Sequence, residues 1–121
     1  SFGGIGAMNA GTLHPDVFGN VISMSGSYWW SPDGTARPTN WMAERVLDGP
    51  KLPIRAVIAA GAFEYTRGGD GDIRESSRLL YAVMRAKGYD AMWRPFSGGH
   101  DSYAWRGVLT DGLLSLFECD D

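Results

Sequence analysis

Apolar residues follow one another along this chain in two patterns that alternate. Runs in which nearly every residue is apolar predict strands, and residues 54–61 are typical of a parallel strand covered on both faces. Apolar residues spaced three or four apart predict amphipathic helices, as over residues 73–87. The predicted order is helix 5–13, strand 20–25, helix 41–48, strand 54–61, helix 73–87, strand 91–96 and helix 103–117. Such alternation predicts an α/β fold, a mostly parallel sheet with right-handed crossovers and helices on both faces.

Local signals mark the ends of these helices. His14 precedes Pro15 at the end of the first helix and is interpreted as structural, because proline disfavours a helical residue before it. Asp72 and Glu75 form a capping-box-like pair at the start of the third helix, and Gly88 ends it. This helix is expected to bury Ile73, Leu79, Leu80, Val83 and Met84. The last helix is expected to turn inward Trp105, Val108, Leu109, Leu113, Leu116 and Phe117.

The composition excludes several classes of function. The 121 residues carry a net charge of −3, without the broad basic surface that nucleic-acid binding needs. No apolar run approaches the roughly 20 residues of a membrane span. Cys119 is the only cysteine, and His14 and His100 are the only histidines. Disulfides within the chain, cysteine zinc sites and multi-histidine metal sites are therefore excluded.

The chain opens on Ser-Phe-Gly-Gly, so that a glycine-rich turn leads directly into a helix. A domain normally begins in a polar, frayed segment. We therefore expect an incomplete chain, in which a strand precedes Ser1 and a further segment or a second chain completes the sheet. The alternative is proteolytic processing that exposes Ser1, whose amine would then act as its own base.

Three polar residues are predicted to share one edge of the sheet. Ser1 opens the first helix, Glu64 follows the second strand and His100 follows the third. Ligands of open parallel sheets gather beyond the carboxyl ends of the strands, so these side chains should reach the same rim. Serine, acid and histidine also occur in the chain order of the hydrolase triad that uses a nucleophile elbow.

These residue types suit nucleophilic catalysis. A serine hydroxyl attacks an ester when a base removes its proton, which is the predicted role of His100. Glu64 would orient the imidazole and stabilise the imidazolium. The Phe2 backbone N–H, at a helix N-terminus, would bind the oxyanion.

Simpler explanations compete with each of these roles. Ser1 alone is an ordinary N-cap, and His100 could be an ordinary loop residue. Three aspartates compete with Glu64 for the role of the acid. Asp72 is better explained as a helix cap and Asp70 as a solvated loop charge. Asp101 is adjacent to the histidine and poorly placed to reach its far ring nitrogen.

Four sequence blocks resemble the enterochelin (enterobactin) esterases, in that family's order. They are Ser-Phe-Gly-Gly at residues 1–4, Ser-Gly-Ser-Tyr-Trp-Trp at 25–30, Ala-Gly-x-x-Glu at 60–64 and Gly-Gly-His-Asp-x-x-x-Trp-Arg-Gly at 98–107. The resemblance implies an α/β-hydrolase that cleaves the trilactone esters of catecholate siderophores without a cofactor. It implies Ser1 as nucleophile, Glu64 as acid and His100 as base. It also implies that residues 1–121 are the C-terminal portion of an esterase domain, without its N-terminal strands and preceding domain, in the cytoplasm.

The implied substrate, a ferric catecholate, is aromatic and anionic. Trp29, Trp30, Arg67 and Arg106 would stack on it and neutralise it. The tryptophans could instead fill the core, and Arg106 could instead anchor the histidine loop. The predicted function is a serine esterase that releases iron. The alternatives are a general carboxylesterase or acyltransferase of the same fold, and an inactive fragment or binding module that keeps the pocket.

Overall fold

The computed structural model describes residues 1–34, 39–66 and 72–118. In chain order the elements are α1 (Phe2–Leu13), β1 (Asn20–Met24), α2 (Trp41–Asp48), β2 (Arg55–Gly61), α3 (Ile73–Ala86), β3 (Asp90–Phe96) and α4 (Ser102–Phe117). Every predicted element is present in the predicted order. Within the described ranges, no helix is both long and apolar enough to cross a bilayer.

The three strands form one parallel sheet in the order β1-β2-β3. Ala56 in the central strand pairs with Val21 on one side and with Ala91 on the other. Residues 56–60 of the central strand are fully buried, as its apolar run predicted. The α/β fold and the parallel sheet predicted from the sequence are therefore confirmed.

Helices cover both faces of the sheet. Val21 contacts Gly11 of α1, whereas its neighbour Ile22 contacts Gly112 of α4. Successive side chains of a strand point to opposite faces, so α1 and α4 lie on opposite sides of β1. The α1 face also carries α2 and α3, and its core includes Ile5, Met8, Met42, Ile58, Leu80 and Met84. Both layers predicted for this fold are therefore present.

Two predictions of helix burial were wrong in part. Leu79 of α3 is 38% exposed, and α4 leaves Leu109, Leu113 and Phe117 between 42% and 61% exposed. The buried residues of α4 are spaced four apart and face the sheet: Val108, Gly112 and Leu116. A Cβ atom at Gly112 would come within 3.2 Å of Ile22, so α4 lies close to β1 along this row of residues, and the more exposed apolar residues flank it.

Helix α1 lies unusually close to the segment that follows β1. A Cβ atom at Gly4 would lie 2.6 Å from the Cα of Gly26 and 2.8 Å from the carbonyl oxygen of Met24. These contacts are to backbone atoms, which cannot rotate away as a flexible side chain would. A glycine is therefore required at position 4, where the first turn of α1 meets the end of β1.

We expect Gly4→Ala to lower the free energy of unfolding by about 2 kcal/mol, because the added methyl group overlaps backbone. Gly6→Ala is the matched control in the same helix, since a Cβ there meets nothing within 4 Å. The control should be neutral or more stable by up to about 1 kcal/mol, because alanine favours helix over glycine. Denaturant unfolding of the full-length protein measures both changes. Equal stability of the two variants would contradict the close packing of α1.

Candidate active site

The loops that follow β2 and β3 bring an acid and a histidine together. Nδ1 of His100 lies 2.6 Å from Oε1 of Glu64, within hydrogen-bond distance. The Glu64 side chain is 2% exposed, whereas that of His100 is 41% exposed. A buried carboxylate thus engages one ring nitrogen, which leaves Nε2 of the more accessible imidazole for proton transfer.

The second carboxylate oxygen of Glu64 is also fully used. Oε2 accepts hydrogen bonds from the backbone N–H of Gly61 at 2.6 Å and from the Ser25 hydroxyl at 2.7 Å. Burying a carboxylate is costly unless its oxygens are paired with donors. Both oxygens of Glu64 have such partners, so the side chain has a single well-defined orientation.

Helix α3 fixes the loop that carries Glu64. The backbone N–H of Arg74 donates to the Glu64 carbonyl at 3.0 Å. The Arg74 guanidinium donates to the Ala62 carbonyl at 3.1 Å and lies over the Tyr65 ring, 5.2 Å from its centroid. The loop between β2 and α3 is therefore tied to the first turn of α3 on both sides of the acid.

A tryptophan of α4 links the histidine to the end of β1. The Trp105 ring meets the His100 ring edge-on, with centroids 4.8 Å apart and an interplanar angle of 89°. Nε1 of Trp105 donates to the Ser25 hydroxyl at 2.9 Å. Trp105 was expected in the core, and its half-buried indole instead forms part of this site.

Ser1 lies at the N-terminus of α1, as predicted. Its side chain makes no capping hydrogen bond, whereas its carbonyl accepts from the N–H of Gly4 at 3.2 Å and of Ser27 at 3.0 Å. Phe2 is the first residue of the helix, where backbone N–H groups have no intrahelical acceptor. Ser1 and Trp105 line one cavity of about 360 Å³. Ser1 thus shares a cavity with the residue that packs on His100, and among the described residues no hydrogen bond joins the Ser1 side chain to Glu64 or His100.

A buried hydroxyl pair supports the first turn of α1 from below. The Gly4 carbonyl oxygen lies 3.0 Å from the Ser23 hydroxyl and 3.3 Å from the Tyr28 hydroxyl, and the two hydroxyls also contact each other. Each hydroxyl has one proton, so two of these three hydrogen bonds form at a time. Burial raises the pKa of Tyr28 well above its ordinary value. The phenol thus remains a neutral hydrogen-bond donor beneath the turn.

The two tryptophans predicted to bind substrate lie in different cavities. Trp29, with its ring centroid 6.4 Å from that of Phe2, lines a polar cavity of about 380 Å³ beside Asp72 and Arg78. Trp30 meets the Trp41 ring edge-on and lines a separate cavity of about 520 Å³. That second cavity is mainly apolar and lies between α1 and α2.

The predicted arginines and the competing acids have simple locations. Arg106 is exposed and lies over Tyr103 of its own helix, 5.4 Å from the ring centroid. Asp72 caps α3 by accepting from the N–H of Glu75, and Asp101 caps α4 by accepting from two backbone N–H groups. Arg67, Asp70 and Cys119 lie outside the described residues. No cluster of three metal-ligating side chains occurs in the ranges that the structure describes.

Most of the chain matches a known protein family. The family model described as "Putative esterase" matches residues 1–116. The chain belongs to this esterase family. The chain is 36% identical over 120 residues to the iron(III) enterobactin esterase of Escherichia coli K12, and 32% identical to the iron(III) salmochelin esterase of Escherichia coli O6:H1. These alignments cover 98% and 93% of the chain but only 28% of each relative.

Solved structures of related esterases superpose on the same residues. The enterobactin esterase of Shigella flexneri, crystallised in the presence of enterobactin, is 35% identical with a TM-score of 0.80. That comparison covers 98% of this esterase chain and 29% of the solved one. A ferulic acid esterase superposes with a TM-score of 0.71 at 22% identity, which shows the shared fold. The chain therefore corresponds to less than a third of the length of its enterobactin-esterase relatives.

Sequence reasoning missed four residues around the pair formed by Glu64 and His100. Ser25, Arg74 and Trp105 hold that pair, and Tyr28 supports the turn beside it. Ser25 could have been found, because it follows a strand at the same edge of the sheet as Glu64. The role of Arg74 had no sequence signal, since its contacts are mostly with backbone.

Tyr28 predicts a change of stability at alkaline pH. Its pKa is raised above 10.0 in the folded protein, so its contribution to stability is complete below pH 10 and declines as the pH rises further. We expect Tyr28→Phe to lower the free energy of unfolding at pH 7 by about 1 kcal/mol through lost hydrogen bonds. The variant should also lose less stability above pH 10 than the parent protein. Urea unfolding at several pH values measures both effects.

The control for this prediction is Tyr103→Phe, because Tyr103 is 81% exposed. This variant should keep the stability of the parent protein at pH 7 and its full decline at alkaline pH. If Tyr28→Phe and the parent protein lose the same free energy of unfolding above pH 10, ionisation of Tyr28 is not the cause of the alkaline loss of stability.

Proposed function

We propose that the protein containing this chain is a serine ester hydrolase, with Ser1 as nucleophile, His100 as base and Glu64 as acid. The observation that carries the proposal is the contact between the buried Glu64 carboxylate and Nδ1 of His100. This contact fixes the imidazole tautomer that presents an unprotonated Nε2. The position of Ser1 on the adjoining cavity and the family relationship support the same assignment.

In the proposed reaction Oγ of Ser1 attacks the ester carbonyl while Nε2 of His100 takes the hydroxyl proton. The tetrahedral oxyanion is bound by the Phe2 N–H, and Glu64 stabilises the imidazolium. Collapse breaks the ester C–O bond, and His100 returns the proton to the leaving alcohol. Water then attacks the acyl-enzyme with its proton passing to His100. Collapse breaks the bond between the acyl carbon and Oγ of Ser1, and His100 returns the proton to Oγ as the carboxylic acid leaves. Ser1, His100 and water carry every proton and electron pair, so the reaction needs no cofactor.

We propose a catecholate siderophore with ester linkages as the substrate. Relatives at 36% and 32% identity are named as esterases of iron(III) enterobactin and salmochelin. The cavity that Trp29 lines offers an aromatic face for a catechol ring, whereas its Arg78 is already paired with Glu75 at 2.9 Å. Iron would enter as part of the substrate, and its release for cellular use places the reaction in the cytoplasm. Trp30, Arg67 and Arg106 remain proposed substrate contacts.

The identity of the acid can be tested with matched amide substitutions. Glu64→Gln keeps the size of the side chain but cannot stabilise an imidazolium, and we expect kcat to fall roughly 1,000-fold or more. Asp72→Asn and Asp101→Asn retain helix-capping oxygens and should leave kcat within about threefold of the parent protein for an ester too small to reach the cavity that Trp29 and Asp72 line. Steady-state hydrolysis of one ester by all three variants is the measurement. A large loss in Asp101→Asn with an active Glu64→Gln would overturn the assignment.

The substrate class can be tested with two esters and one covalent probe. We expect kcat/KM for a catecholate trilactone to exceed that for simple aryl esters by at least about 100-fold, because contacts beyond the ester contribute to transition-state binding. A fluorophosphonate should label the full-length protein and fail to label Ser1→Ala. Comparable rates on both esters would indicate a general carboxylesterase. An unlabelled, inactive protein would indicate a binding module.

A further inference from the structure

Ser25 has a backbone conformation that few serines adopt. It follows the last residue of β1 with φ at 51°, the only positive φ among the described non-glycine residues. The left-handed region costs a residue with a Cβ roughly 1 kcal/mol. Ser25 is nevertheless fully buried, and its N–H donates to the Ala59 carbonyl at 2.9 Å. A residue held in such a conformation suggests a requirement for what its side chain reaches.

The direction of each hydrogen bond at the Ser25 hydroxyl follows from its partners. An indole N–H can only donate, so Oγ must accept from Nε1 of Trp105. A hydroxyl has one proton, which therefore points to Oε2 of Glu64 at 2.7 Å. A buried carboxylate and a half-buried indole thus share this hydroxyl, and neither direction can reverse.

These contacts close a ring of four side chains, one of which is the proposed base His100. Glu64 contacts Nδ1 of His100, and the Trp105 ring meets the edge of the same imidazole. Ser25 joins Glu64 to Trp105 on the far side. Both neighbours that orient His100 are therefore oriented by one hydroxyl.

We propose that Ser25 is a positioning residue that holds the Glu64 carboxylate and the Trp105 indole in the orientations that the His100 base requires. The proposal rests on the proposed function of Glu64 and His100. Without the hydroxyl, Oε2 would keep only the Gly61 N–H, and the carboxylate could rotate away from Nδ1. The indole N–H would lose its acceptor, which frees the ring that packs on His100.

The test replaces Ser25 by glycine, which removes the hydroxyl and also relieves the positive φ. We expect kcat to fall about 10- to 100-fold with KM unchanged, because misplacing a catalytic group slows the chemical step. The low-field Nδ1 proton resonance of His100 should shift or broaden in the proton NMR spectrum of the full-length protein. A merely structural serine would alter unfolding and leave kcat and this resonance unchanged.

A second variant tests the route through Trp105. Trp105→Phe keeps an aromatic ring against His100 but removes the indole N–H. We expect a smaller loss of kcat, about threefold to tenfold, and a double variant no slower than Ser25→Gly alone, because both changes act through one hydroxyl. Multiplicative losses in the double variant would overturn the shared route. If Ser25→Gly fails to fold, Ser25→Ala is measured in its place, with the same expected loss.

Ser77→Ala is the matched control, because Ser77 is also a fully buried serine and its Oγ lacks a hydrogen-bond partner within the described ranges. Its kcat should equal that of the parent protein. Glu64→Gln separates the two proposals. An inactive Glu64→Gln with a fully active Ser25→Gly would overturn the role of Ser25 alone. An active Glu64→Gln would overturn the proposed function itself.

Discussion

The buried carboxylate of Glu64 is the group on which the arrangement of this site depends. An unpaired charge in an interior costs several kcal/mol, so the surrounding structure must bring donors to it. Gly61 donates from the end of β2, Ser25 from the end of β1, and His100 approaches from the loop after β3. Three adjacent parallel strands therefore have to end at the same level for this one side chain to be buried.

The spacing between the acid and the histidine is set largely by backbone. The N–H of Ala62 donates to the Phe96 carbonyl at 2.9 Å, and that of Phe63 donates to the Gly98 carbonyl at 3.1 Å. A Cβ atom at Gly61 would overlap the Gly98 carbonyl, so only glycine allows this approach. The loops after β2 and β3 are joined in this way just before they carry Glu64 and His100. Their side chains start from a fixed separation.

The sequence was sufficient for the order of the elements and for the edge of the sheet at which polar residues meet, because both follow from apolar periodicity and parallel topology. It was not sufficient for the direction of individual side chains. The contacts of Ser25 depend on its φ of 51°, which the surrounding structure imposes and which no local sequence pattern predicts. Likewise, which residues of α4 are buried depends on the close approach of Gly112 to the sheet. Apolar periodicity does not show this approach, and it therefore predicted burial of Leu113, which is exposed.

Some side chains of the site are buried and fixed, and one is accessible to solvent. Glu64 and Ser25 are buried, and each is bonded to the backbone of β2, through the Gly61 N–H and the Ala59 carbonyl, whereas the His100 side chain is 41% exposed. In the proposed mechanism His100 has to exchange protons with substrate and water, and Glu64 only orients it. Catalysis benefits when the orienting charges are in place before substrate arrives, because no reorganisation is then needed during the reaction. Burial of the acid and exposure of the imidazole are thus two parts of one physical arrangement.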